Sequence, residues 1–481
     1  MLVARQTHGQ LTVIDRLREM VRLAAGLDAD NRLDDASRER ALACLSRFGE
    51  RIRDMQAGQV RVVGTNTLRR ARGADRFLEE AEALLGHPIE VISGIEEARL
   101  IYLGVSHSLP SVDGEQICVD IGGGSTEIIR GRGYEPQLME SLYLGCVSLS
   151  KQCFAAGKLT VRKFDKARLA ARLELEPVKA RFVNTPAVRL VGASGTIRAA
   201  SAVGQELGLW STGITRNGLE QLITKVIEAG RTDRLQLPGL SEQRRPVFPG
   251  GLAILTEVMD ALNMDCMQVA DGALREGILY DLLGRLTDED ARVRTVRAME
   301  ARFHVDTAQA DRVETTVLQL FDQVGQDWKL AGDDNRRALG WAARLHEIGL
   351  DIAHSRYHHH GAYLLENADM PGFTREEQRV LARLVGTHRR SFSRDTFEGL
   401  PRRRLRVVLR MAVLLRLAVL LNRSRTQTEP APVRLRVDGR QIVVSAPAGW
   451  LGANPLTRAG LETERDHLLS AGLDMQLAPF D

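Results

Sequence analysis

Paired cysteines are missing from this chain of 481 residues: Cys44, Cys118, Cys146, Cys153 and Cys266 form no C-x-x-C, which argues against a zinc ribbon. The odd count of five points to reduced thiols and a cytoplasmic setting. Long apolar runs are missing too. The most apolar stretch, 407–421, is broken by Arg410 and Arg416 and is too short to span a bilayer, so it reads as a buried helix and no transmembrane segment is expected. The opening Met-Leu-Val-Ala-Arg carries a charge at Arg5 and no apolar stretch, so no secretory signal is expected. A strong excess of one charge is also absent. The formal net charge is only +4, so an anionic partner has to be read from local clusters. There is no tandem repeat of short period and no low-complexity tract.

What is present is an ordinary globular composition, 44% hydrophobic and 27% charged, in a chain long enough for about two to four domains. Strand-like and helix-like segments alternate at first: strand 11–14, helix 35–55, strand 60–63, helix 75–85, strand 89–92. That alternation predicts an α/β layer architecture with a mostly parallel sheet. A second α/β unit begins near Leu103, with buried-type strands at 117–120 and 188–191, each running into a glycine-rich turn. From about Leu282 strands give way to helical periodicity until about Arg425, and 433–444 reads as a hairpin opening a small C-terminal module.

Val119-Asp120-Ile121-Gly122-Gly123-Gly124-Ser125-Thr126-Glu127 places a carboxylate at a strand end, then Cβ-free residues, then hydroxyls. Backbone N–H groups of such a turn close on an oxyanion, with the aspartate beside it for a metal or its water. Gly64-Thr65-Asn66-Thr67-Leu68-Arg69 puts hydroxyls and a guanidinium at the carboxyl edge of a sheet, where ligands of open α/β sheets bind. The plainer reading is a helix cap with a solvated Arg69. Ser93-Gly94-Ile95-Glu96-Glu97 sets paired acids where a helix should start. The helix dipole accounts for such acids, unless one of them orients an attacking water.

Together with Gly145-Cys146-Val147-Ser148, Gly192-Ala193-Ser194-Gly195-Thr196 and Asp271-Gly272-Ala273-Leu274-Arg275-Glu276-Gly277, these segments resemble the exopolyphosphatase/guanosine pentaphosphate phosphohydrolase (Ppx/GppA) family, collinearly over essentially the whole chain. The resemblance implies a duplicated actin-like (ribonuclease H-like) fold, at 1–101 and 102–283, then an all-helical HD-like domain at 284–428 and a small β-containing module at 429–481. It implies Glu97 as general base, Asp120 and Glu127 as holders of Mg²⁺ and water, and phosphate contacts from Thr65, Gly122, Gly123, Gly124, Ser125 and Gly195, with Arg69 and Arg275 neutralising the anion. It also implies a homodimer in the cytoplasm, with peripheral membrane association as a further option. Family members open with an Asp-x-Gly-Ser-Asn-Ser phosphate loop and its strand ahead of the segment matching 1–6. The expectation is therefore that this strand and loop are missing from domain I, leaving a gap inside its sheet. A non-catalytic binder of polyphosphate or guanosine alarmones is the reading of another class.

Inorganic polyphosphate is the expected substrate and pppGpp the alternative, because Gly124 and Asp271 stand where the nucleotide-directed branch tends towards Ala and Gly. Between Arg379 and Arg425 lie thirteen arginines and only two acids, Asp395 and Glu398. Arg402, Arg403, Arg404 and Arg406 are the densest cluster and would track a long polyphosphate rather than a nucleic acid. His346-Glu347, His354, 358–360 and His388 suggest a His-Asp metal site, but Glu347 and Asn422 stand where carboxylate ligands of that superfamily belong, so a relic scaffold is expected.

Overall fold

The computed structural model describes residues 1–7, 10–19, 21–28, 30–109, 114–183, 189–286, 290–330, 332–425 and 431–480. The chain divides into two compact units, Met1–Asp290 and Ala291–Asp481. The boundary expected after Ile101 falls inside the helix Gly94–Ser108, and that after Leu283 inside the helix Leu274–Leu286. The boundary expected at 428/429 lies outside the described residues.

In the first unit, the antiparallel hairpin Leu2–Thr7/Gln10–Arg16 forms one two-stranded sheet, and Val62–Gly64 pairs in parallel with Ile89–Val91 in another. Local chemistry sets the helices between them. Asp34 caps Asp35–Ile52 by accepting from the Ser37 N–H at 2.6 Å. Asp75–Leu85 stops at Gly86, whose φ of 78° releases the chain in the left-handed region.

Among the described residues the main sheet has six strands in the spatial order Glu135–Leu142, Thr126–Arg132, Glu115–Ile121, Arg189–Ala193, Cys266–Val269, Ile214–Thr215. Only the contacts around Arg189–Ala193 are parallel. The mostly parallel expectation concerned the first hundred residues, where, among the described residues, one strand pair is parallel and one antiparallel; this sheet is mixed. Its physical reason is the short turns at 122–125 and 133–134, which can only reverse the chain. Alternation along Glu115–Ile121 sends Ile117, Val119 and Ile121 into a core with the helices Val161–Val183 and Phe248–Ala261. Cys118 faces the opposite layer with Ala98, Ile101 and Val105 of Gly94–Ser108. Asp120 shares the parity of Cys118 and so faces the helix that carries Glu97.

The second unit packs the helices Ala291–Arg302, Thr307–Val324, Asp333–Arg344, Tyr357–Asn367, Arg375–Thr387 and Arg402–Leu421 around one core. The hairpin Arg434–Asp438/Gln441–Pro447 and the parallel strand Asp474–Phe480 contribute Leu435, Ile442, Val444 and Met475 to that same core. Arg416, which interrupts the apolar run, is 2% exposed and is bonded to Glu464 and to the Arg390 carbonyl. Among the described residues no helix is long and apolar enough to cross a membrane.

Candidate active site

The turn 122–125 is closed by the Gly122 N–H donating to the Ser125 carbonyl at 2.9 Å. The Gly122 carbonyl accepts from the Cys146 N–H at 2.9 Å, and the Gly123 carbonyl from those of Val147 and Ser148 at 3.0 and 3.2 Å. In a trans peptide C=O and N–H point opposite ways. The N–H groups of Gly123 and Gly124 therefore face away from the helix Cys146–Cys153, and among the described residues neither they nor the Ser125 N–H have an acceptor. Three consecutive unspent donors form an anion nest. None of these glycines has a positive φ, so what they supply is space. Gly145 is needed for the same reason: a Cβ there would lie 2.3 Å from the Gly123 carbonyl oxygen.

Ser93 caps Gly94–Ser108 by accepting from the Glu96 N–H at 3.0 Å, which fixes both acids in the first turn. They diverge from there. Glu96 is fully buried and bonded to Arg99 at 2.8 and 2.9 Å, a structural pairing. Glu97 turns to the site and accepts from Arg69 Nη1 at 2.8 Å. The same Arg69 nitrogen donates to the Ile92 carbonyl at 3.0 Å. Arg69, expected to face the anion, is thus engaged with the base and the backbone. Thr65 stands at the N-cap of the short helix Asn66–Arg70 without capping it, and its hydroxyl acts on Glu97.

Asp120 and Glu127 are directly opposite in the antiparallel ladder, so both project from one face of the sheet. Ser141 Oγ donates to Glu127 Oε1 at 2.9 Å. Burial and the charge of Glu97 push the Asp120 carboxyl up to about 7, against the pull of Arg198. Burial and both neighbouring acids raise Glu127 well above the carboxylate range. Burial likewise raises Glu97, opposed by Arg69 and Thr65. Ionised together, these carboxylates would repel, and a cation between them would relieve that. Among the described residues no group of three or more His, Cys, Asp or Glu is arranged as a metal cage. Mg²⁺ usually takes one or two carboxylates and completes its shell with water and substrate phosphate, so the Asp120–Glu127 pair fits it.

At the second turn, Ser194 adopts a left-handed φ of 86° and accepts from the Ile197 N–H at 3.2 Å. The space beside Gly195 is taken by Arg244, whose Nη2 would lie 1.8 Å from a Cβ. Burial depresses Arg244 and Arg275, and the charges of Arg18 and Arg198 depress both further. Arg198 donates to the Asp271 carbonyl at 3.0 Å. The sequence singled out Arg275 alone; Arg18, Arg198 and Arg244 come from separate segments and no spacing joins them.

In the helical unit Glu376 accepts from both Arg403 and Arg404, each at 2.9 Å, while Arg406 is exposed and the Arg402 side chain lies outside the described residues. Two members of the expected track are therefore held in an ion pair. His346, His358 and His388 are buried. Glu347 is bonded to Arg425, and Asn422 Nδ2 donates to Thr316 Oγ1 at 2.8 Å, so the positions expected to hold carboxylate ligands serve packing.

The two units should respond to pH with opposite sign. Carboxyls raised in the fold keep protons that the unfolded chain releases, so their stabilising contribution is full near pH 4 and is lost as pH rises through the value of about 7 at Asp120. Burial lowers His346, His358 (to about 4) and His388, so their contribution is present above the ordinary 6.5 and is lost as pH falls. Calorimetry in chelator between about pH 5 and 8 should resolve two transitions moving in opposite directions.

An anion nest flanked by buried acids on an α/β sheet is the site of a phosphoanhydride hydrolase. Residues 2–286 match the Ppx/GppA phosphatase family and 291–465 match Ppx/GppA phosphatase, domain III, so the chain belongs to that family. It is 39% identical over 477 residues to a guanosine-5′-triphosphate,3′-diphosphate pyrophosphatase of Aeromonas salmonicida, covering 99% of this chain and 96% of the relative. The enzyme of that name from Vibrio cholerae is 38% identical over 481 residues, covering 99% and 95%. Among solved structures, the Aquifex aeolicus Ppx/GppA family member is 28% identical with a TM-score of 0.50, covering 60% of this chain and 94% of that one. An exopolyphosphatase from Cytophaga hutchinsonii is 21% identical with a TM-score of 0.54, covering 59% and 93%, a likeness of fold.

Proposed function

We propose that this chain hydrolyses the terminal 5′ phosphoanhydride of guanosine pentaphosphate (pppGpp), releasing orthophosphate. The observation that carries the reading is end-to-end similarity, at 38–39% identity, to enzymes named for that nucleotide. It favours the pppGpp alternative over the polyphosphate expectation, whose two supports have local structural roles that do not speak to substrate. Gly124 packs against the Asn66 amide, and Asp271 offers Arg198 a backbone carbonyl that any residue would supply. Held on the nest, the terminal phosphoryl group would present its phosphorus to a water whose proton passes to Glu97 as the bond to the leaving diphosphate oxygen breaks. Asp120 and Glu127 would hold Mg²⁺, which supplies neutralising charge for the phosphate oxygens. The arginines Arg18, Arg198, Arg244 and Arg275 add positive field. We read Met1–Asp290 as two actin-like halves and the helical unit as an HD-like scaffold.

Orthophosphate release from pppGpp and from long-chain polyphosphate, each against a Glu97→Ala background, tests this. A higher kcat/KM on pppGpp is expected. Preference for polyphosphate would reverse the reading, and release no greater than the Glu97→Ala background on either substrate would make the chain a binder. Because burial raises the carboxyl of Glu97 above the ordinary carboxylate range and a base must be unprotonated, kcat/KM should fall as pH drops, by about tenfold per pH unit once that carboxyl is protonated.

A further inference from the structure

Asn66 is 9% exposed, and its Nδ2 is buried without a hydrogen-bond partner among the described residues. Its amide lies against the nest: a Cβ at Gly124 would be 3.2 Å from Nδ2 and 3.3 Å from Cγ. A buried amide donor with nothing to bond carries a desolvation penalty, and such groups persist where something outside the chain completes them. Here the neighbouring donors, the N–H groups of Gly123, Gly124 and Ser125, likewise have no acceptor among the described residues. Four neighbouring donors without an acceptor among the described residues describe a place for an oxyanion.

We propose that Asn66 is a further substrate-binding residue, its Nδ2 donating to a non-bridging oxygen of the phosphoryl group seated on the 122–125 turn. This deepens the phosphohydrolase reading and rests on it. The residue also has a consequence for alignment. Asn66 and Arg69 are three apart on the short helix Asn66–Arg70 and so share a face. Arg69 holds Glu97 at 2.8 Å, so one rigid turn registers the phosphoryl oxygen against the base. The amide is neutral, so it orients the group while leaving the charge to the cations around it.

Asn66→Ala and Asn66→Asp, made in the full chain with Glu97→Gln to prevent turnover, are titrated with tripolyphosphate by calorimetry in Mg²⁺. Asn66→Ala should weaken binding by about tenfold to a hundredfold, the range for a hydrogen bond to a charged group. Asn66→Asp should weaken it further, since a carboxylate of the same shape repels the phosphate. The melting temperature of Asn66→Ala should not fall, because an unsatisfied buried group is removed. A purely structural Asn66 predicts the reverse, a lower melting temperature with affinity unchanged. Unchanged affinity in both variants, or Asn66→Asp binding as well as Asn66→Ala, overturns the proposal. The nucleotide reading fails separately: if the wild type does not act on pppGpp while tripolyphosphate affinity still follows Asn66, the substrate assignment is wrong and the residue assignment stands.

Discussion

Glu97→Gln is expected to lower kcat on pppGpp by about a hundredfold to ten-thousandfold, the usual contribution of a general base, while substrate binding survives. The amide keeps the side-chain shape and an oxygen for the Arg69 guanidinium, which now donates to Glu97 Oε2 at 2.8 Å. What it loses is the capacity to take a proton. Burial raises Glu97 from the ordinary carboxylate range towards the working pH, which is where a base serves best. Its neighbour supplies the control. Glu96 is equally close to the helix start but bonded to Arg99, so Glu96→Gln should lower the melting temperature. If binding disappears with turnover in Glu97→Gln, or Glu96→Gln proves the slower enzyme with normal stability, the base has been misassigned.

That pair also marks where sequence stops. Both acids sit in the first helical turn, and residues one apart on a helix point about 100° away from each other. One must enter the ion-pair network and the other the site, but which does so depends on Arg69 and Arg99 in space. The glycine turn was legible because a buried strand, an aspartate and three residues without Cβ are contiguous. The strands Thr126–Arg132 and Glu135–Leu142 were not, since neither alternates cleanly. Counting arginines from Arg379 onwards suggested a track; Glu376, on a different helix, occupies Arg403 and Arg404. Asn66 stood in plain view inside a motif, yet its orphaned donor exists only once Gly124 is brought against it.

Asp281→Ala is expected to destabilise the Met1–Asp290 unit by about 1–3 kcal/mol, the cost of leaving buried donors without their acceptor. Its carboxylate, 5% exposed, is shared by Arg61 and Arg99, whose side chains are 2% and 7% exposed. Arg61 also meets Glu90 at 3.0 Å and Glu96 at 3.7 Å, so the network ties the helix Leu274–Leu286 to Gly94–Ser108 and to the strand Ile89–Val91. Glycines let the two helices approach: a Cβ at Gly277 would lie 1.7 Å from the Leu100 carbonyl oxygen. With no slack there, the Arg61 and Arg99 N–H groups that Asp281 accepted from cannot swing to water, although Glu90 and Glu96 still balance the charges. Because the chain has two compact units, the change should be read from the transition of the first, which the pH response identifies. Leu274–Leu286 carries Arg275 and Gly94–Ser108 carries Glu97, so at temperatures where the variant remains folded KM should rise and kcat should fall as their registry loosens. A loss below about 1 kcal/mol, the range of exposed pairs, would mean that the network is hydrated in solution and that helix packing alone sets the site.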